Sequence, residues 1–85
     1  MSSTRNIKDL YAVYISRVLY RIIKTREDKR FSSAFMAQAL QISEREYEQL
    51  ESGQEALTLD VVFDICALLN VDPEEILRTN NDSSG

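Results

Sequence analysis

Histidine and tryptophan are absent from this 85-residue chain, cysteine and proline occur once each, and glycine only twice. Without histidine, and with Cys66 as the single thiol, the usual nitrogen-and-sulfur metal site has no ligands and no internal disulfide can form. A reducing, intracellular setting is therefore expected. Scarce glycine and proline leave little material for hairpins or long structured loops, which disfavours a β-rich fold. No stretch approaches the length of uncharged apolar residues needed to cross a membrane, and MSSTRNIKD lacks the basic start and apolar centre of a signal peptide. These absences predict a cytoplasmic protein with no membrane association. Also missing are a nucleophile beside a base, a metal cluster and a phosphate-cradling loop, so no catalytic residue, metal or cofactor is assigned and an enzyme is not expected.

What is present is a divided charge. The net charge of −4 combines a first segment, residues 1–30, holding eight of the ten basic residues and only Asp9, Glu27 and Asp28. That segment sums to +5, and residues 31–85 sum to −9. Such an asymmetry either solvates two outer faces or creates an oriented field that selects partners.

Apolar spacing then marks out helices. From Ile7 to Ile23 the large apolar residues recur with helical period, predicting one long helix from near Ile7 to near Thr25, with Asp9, Ser16, Arg17, Tyr20 and Lys24 on a narrow solvent stripe. The charged run KTREDKR ends it. A short second helix follows a cap at Ser32 or Ser33, with Phe35, Met36, Ala39 and Leu40 expected inward. Ser43, with Glu46 three residues on, forms a capping box that starts a third helix, which buries Tyr47 and Leu50 and stops at Gly53. Thr58 caps a fourth helix, and Asp72, Pro73 and Glu75 supply cap, first-turn proline and box partner for a short fifth. The polar ending TNNDSSG reads as a disordered tail. The expected fold is thus all-α with five helices: an N-terminal helical extension over residues 1–17, a helical domain over 18–78 and a tail over 79–85.

The second and third helices, joined around LQIS, form a helix-turn-helix. Here the chain resembles the Cro/C1-type (XRE family) helix-turn-helix domains of phage repressors and bacterial regulators, over residues 21–77. The likeness lies in several features held in one register: Met36-Ala37 in the second helix, Ile42-Ser43 before the third, LESG at its end, and LLNVDPEEIL as the closing segment, with Asn70 in place of glycine. It implies that Arg26 and Glu51 form an ion pair tying the first helix to the third. It further implies that Ser33 lies where the family clamps a phosphate, and that Glu44, Arg45, Glu46 and Gln49 occupy base-reading positions. Cys66 matches a family alanine and reads as a small buried residue.

Against that scaffold stands an acidic surface. From Glu44 to Leu57 the only positive charge is Arg45, although phosphate neutralisation supplies most of the affinity in DNA binding. Glu46 is explained by its box and Glu51 by Arg26, which leaves Glu44 and Glu48 to account for. Two functions stay open: a small transcriptional regulator that binds double-stranded DNA, or a protein-binding module whose acidic third helix engages a basic partner, such as an anti-activator or an inhibitor of a host regulator. DNA- or partner-binding residues are accordingly Ser33, Ser43, Glu44, Arg45, Glu46, Glu48 and Gln49. Ahead of the family-like part, Ile7, Leu10, Tyr11, Tyr14 and Ile15 form an apolar face that needs cover, with Val61 and Leu68 of the fourth helix as a second strip. Either the extension folds back or two chains pair through it, and a homodimer is the preferred expectation.

Overall fold

The computed structural model describes the backbone of residues 2–78 and the side chains of residues 9–78. Five helices and no strand are formed over that range: α1 (Ser2–Asp28), α2 (Ser33–Leu40), α3 (Glu44–Ser52), α4 (Leu59–Leu69) and α5 (Pro73–Leu77). Helix α1 runs further at both ends than apolar spacing alone predicts, because nothing between Ser2 and Asp28 breaks a helix. At 27 residues it is about 40 Å long by the helical rise. It thus spans nearly the whole 44 Å long dimension of the molecule. It does not fold back.

The ends of the short helices are set by single side chains. Ser32, not Ser33, caps α2, its hydroxyl accepting the Phe35 N–H at 3.0 Å. Both halves of the Ser43 box are made: Glu46 N–H donates to the Ser43 hydroxyl at 3.0 Å and Ser43 N–H to the Glu46 carboxylate at 2.9 Å. Thr58 caps α4. At α5 the Asp72 carboxylate takes the Glu74 N–H at 3.0 Å, so the cap forms one residue earlier than the box expected with Glu75. Gln41, Gly53 and Asn70 each adopt the left-handed conformation that closes the preceding helix, with φ of 64°, 85° and 59°. Asn70 occupies that position because, after glycine, asparagine adopts the left-handed conformation most readily.

The core gathers one face of every helix: Val18 and Ile22 of α1, Met36 and Ala37 of α2, Tyr47 and Leu50 of α3, Val62, Ile65, Cys66 and Leu69 of α4, and Ile76 of α5. Helix α1 packs on α3, α4 and α5, and α2 on α3 and α4, while α5 touches neither α2 nor α3. Two expected core residues are outside. Phe35 is 46% exposed and Ala39 is exposed, because α2 turns Met36 and Ala37 inward and has only eight residues with which to do so. Phe35 instead lies against Phe31, with ring centroids 4.7 Å apart. Val61 and Leu68 do not cover the extension; they are partly buried against the core on the side facing α2.

Of the apolar face assigned to the extension, Tyr14 and Ile15 are half-buried, and the Tyr14 hydroxyl donates to the Leu77 carbonyl of the same chain. Leu10 and Tyr11 are exposed. The side chain of Ile7 and the polar ending at 79–85 lie outside the described residues.

Candidate nucleic-acid interface

Helices α2 and α3 are held rigidly to α1 by one polar network. The Arg26 guanidinium straddles the Glu51 carboxylate, Nε to Oε2 at 2.7 Å and Nη2 to Oε1 at 3.1 Å, and its Nη1 donates to the Phe31 carbonyl at 2.8 Å. Both side chains are nearly buried. The Tyr47 hydroxyl donates to the same carboxylate. One guanidinium therefore fixes the end of α1, the turn into α2 and the end of α3. The hydrogen bond to Glu51 pushes the Arg26 pKa up, and burial, with the Glu51 contact second, pushes the Tyr47 phenol far above its ordinary range. Cys66 is buried and its thiol pKa is raised by desolvation, which makes it unreactive.

With Tyr47 and Leu50 turned inward, α3 presents Glu44, Arg45, Glu48, Gln49 and Ser52 along one stripe at helical spacing. Arg45, Glu48, Gln49, Ser52 and Gln54 line a single shallow recess on that outward side. Glu46 is not among them. Its carboxylate is engaged by the capping box, and it borders a different groove, floored by Leu40, Ile42, Leu50 and Val61 and rimmed by Glu46, Glu55 and Asp64. Ser43 is likewise committed to capping, and Ser33 sits half-buried at the first position of α2.

The sequence reading missed a pair of cations. Lys29 and Arg30 are exposed in the turn between α1 and α2, next to the α2 N-terminus. Arg30 holds φ at 63°, a left-handed conformation that costs a non-glycine residue about 1–2 kcal/mol. KTREDKR read as a helix end; the available signal was that its last two cations fall just before the Ser32 cap. On the α3 stripe Glu44 and Glu48 stand against Arg45, while Lys29 and Arg30 are exposed in the turn before α2 and Glu46 keeps its charge at the neighbouring groove.

These features define a helix-turn-helix protein: two short helices joined by a tight turn, with the second offering a polar stripe to solvent. The match to a family model, the Cro/C1-type HTH DNA-binding domain, covers residues 21–82, and the chain belongs to that family. No curated protein and no solved structure gave a significant match. None of the helices among the described residues is long and apolar enough to cross a membrane.

Proposed function

We propose that the protein is a small transcriptional regulator that binds double-stranded DNA directly in the cytoplasm, with α3 as the helix that enters the major groove. Family membership supports DNA binding and points away from an enzyme. The observation that carries the reading is the common recess lined by Arg45 and Gln49 on the outward face of α3. Arginine donates two hydrogen bonds to guanine O6 and N7, glutamine pairs with adenine N6 and N7, and the Glu48 carboxylate beside them accepts from cytosine N4. Lys29, Arg30 and the free N–H groups at the start of α2, with Ser33 beside them, take phosphates. Glu44 repels them. The expected behaviour is modest affinity for DNA in general with base selectivity retained. A homodimer is the form that presents two such faces to the two halves of an operator.

Anisotropy titrations on a selected duplex test this. Arg45→Ala and Gln49→Ala should each cost about 1–3 kcal/mol and relax selectivity at one base pair. Glu44→Gln should tighten binding to every duplex by a similar factor, since it removes charge without touching a base reader. Equal losses on all sequences for Arg45→Ala would remove it from base reading.

A second reading is favoured by the groove between α3 and α4, whose apolar floor and rim of Glu46, Glu55 and Asp64 suit the aliphatic stem and charged tip of a lysine or arginine. In that reading the protein binds a basic protein partner and acts as an anti-activator or inhibitor. Glu55→Lys with Asp64→Lys, at the rim of that groove, would then abolish the complex, and the unmodified protein would leave DNA unbound.

A further inference from the structure

A trough follows α4 on the side that faces the α2–α3 turn. Its first part is the groove between α3 and α4, about 270 Å³, with its apolar floor and its rim of Glu46, Glu55 and Asp64. It does not end there, because Leu40 and Asp64 also line an adjoining recess that runs on to Ala39, Ala67 and Leu68. Between Thr58 and Leu68 the trough tracks α4 for about 15 Å, nearly three helical turns. Leu40, Ile42, Val61 and Leu68 are all only half-buried along it. At that volume the deeper part falls below the usual range of small-molecule sites, and a long, shallow aliphatic floor suits a helix laid into a groove.

Charge selects the occupant. Among the described residues, no lysine or arginine lines either part of the trough. After Phe31 the chain has two cations, Arg45 and Arg78, and each lines a recess elsewhere. Neither α1 nor the turn that follows it contributes a lining residue. Glu55 and Asp64 are exposed and form no ion pair among the described residues. Such a rim repels a phosphate backbone and attracts an ammonium or guanidinium group, whose aliphatic stem the floor accepts. We infer that the trough is a docking site for a helix of another protein, apolar along one face and carrying lysine or arginine at the edge of that face. The docking rests on the second reading for its basic partner and goes beyond it in the length of the surface, the helical form of the partner and the freedom of the α3 stripe. The trough shares no lining residue with the recess of Arg45, Glu48 and Gln49, so a partner seated in it leaves that stripe uncovered.

Panning the full chain against a displayed library of random peptides, each long enough for about four helical turns, supplies the probe. Selected peptides should carry apolar residues at helical spacing with lysine or arginine beside them. On binding they should shift the backbone amide NMR signals of Leu40, Val61, Asp64 and Leu68 and leave those of Arg45 and Gln49 in place. Glu55→Gln with Asp64→Asn should weaken a selected peptide roughly 10-fold at low salt, whereas Glu44→Gln should leave its affinity unchanged. Both rim residues are exposed, and circular dichroism checks that the double variant is folded. No enrichment, or enrichment of peptides without positive charge, overturns the second reading and this docking together. Basic peptides whose shifts fall on the α3 stripe, or whose affinity ignores Glu55→Gln with Asp64→Asn, overturn the trough and leave a basic partner standing. A chain that sediments as a dimer and is dissociated by Asp64→Lys has a second copy in the trough, which also overturns the docking. DNA binding is read separately, on duplexes.

Discussion

Arg26 joins three parts of the fold. Its guanidinium is hydrogen-bonded to Glu51 and to the Phe31 carbonyl with little solvent to compete, and Glu51 in turn accepts from Tyr47. Removing either member of the pair should destabilise the domain by about 3 kcal/mol or more, because the other is left nearly buried and uncompensated. The two losses should be far from additive in a double-mutant cycle, and additivity would show the contact to be inconsequential. Tyr47 adds a pH signature. An unfolded tyrosine ionises near pH ~10, whereas burial holds the folded phenol protonated well above that. Its contribution to stability is therefore complete below pH ~10 and is lost as pH rises above it, with a limiting slope of about 1.4 kcal/mol per pH unit. Urea melts of the parent and of Tyr47→Phe should differ by a constant offset below pH ~10, from the lost hydrogen bond to Glu51, and that offset should change only in the alkaline range.

Arg30 poses a different question at the same scale: why a charged side chain occupies a backbone position that glycine would hold without strain. In the proposed DNA-binding reading, phosphate contact answers it. Arg30→Gly should leave stability unchanged or raise it by up to about 1 kcal/mol, yet weaken binding to all duplexes and reduce the salt slope by about 1. A variant that lost stability and kept its affinity would assign Arg30 to the fold alone.

Among the elements, those fixed by local chemistry were legible in the sequence and those fixed by neighbours were not. Ser43 with Glu46, Thr58, Gly53 and the Arg26–Glu51 pair follow from side-chain reach and backbone conformation within a few residues or from one family register, and each is found in place. Phe35 and Ala39 were placed inside because an eight-residue helix carries too few turns for periodicity to choose its face; contact with α3 and α4 made that choice in favour of Met36 and Ala37. Val61 and Leu68 were apolar for the sake of α2, which composition does not reveal. Lys29 and Arg30 were passed over for another reason: within KTREDKR they read as the end of α1, and their exposed place in the turn before α2 emerges only once both helix ends are set. Among the capping residues, Ser43→Ala should cost ~1 kcal/mol. Thermal melts check this, and an unchanged midpoint would make the box incidental to α3.

At the scale of the whole molecule, eight of the ten basic residues lie in the first 30 residues, whereas α3 carries Arg45 against Glu44, Glu46, Glu48 and Glu51. In the proposed DNA-binding reading, general attraction to the duplex is weak and selectivity falls to Arg45 and Gln49. Few phosphate contacts mean a shallow dependence on salt, roughly −2 in log K against log salt per protomer if Lys29 and Arg30 both engage. A twofold dimer adds the requirement that the preferred site be an inverted repeat, with half-site spacing set by the distance between the two α3 helices. The direct test of the central claim is selection of binding sequences from a random duplex library by the unmodified full chain, followed by footprinting of the enriched sequence at ~150 mM salt. The account predicts enrichment of one inverted repeat, with a footprint that Arg45→Ala and Gln49→Ala blur at separate base pairs. No enrichment, together with no binding to any duplex even at low salt, would contradict it.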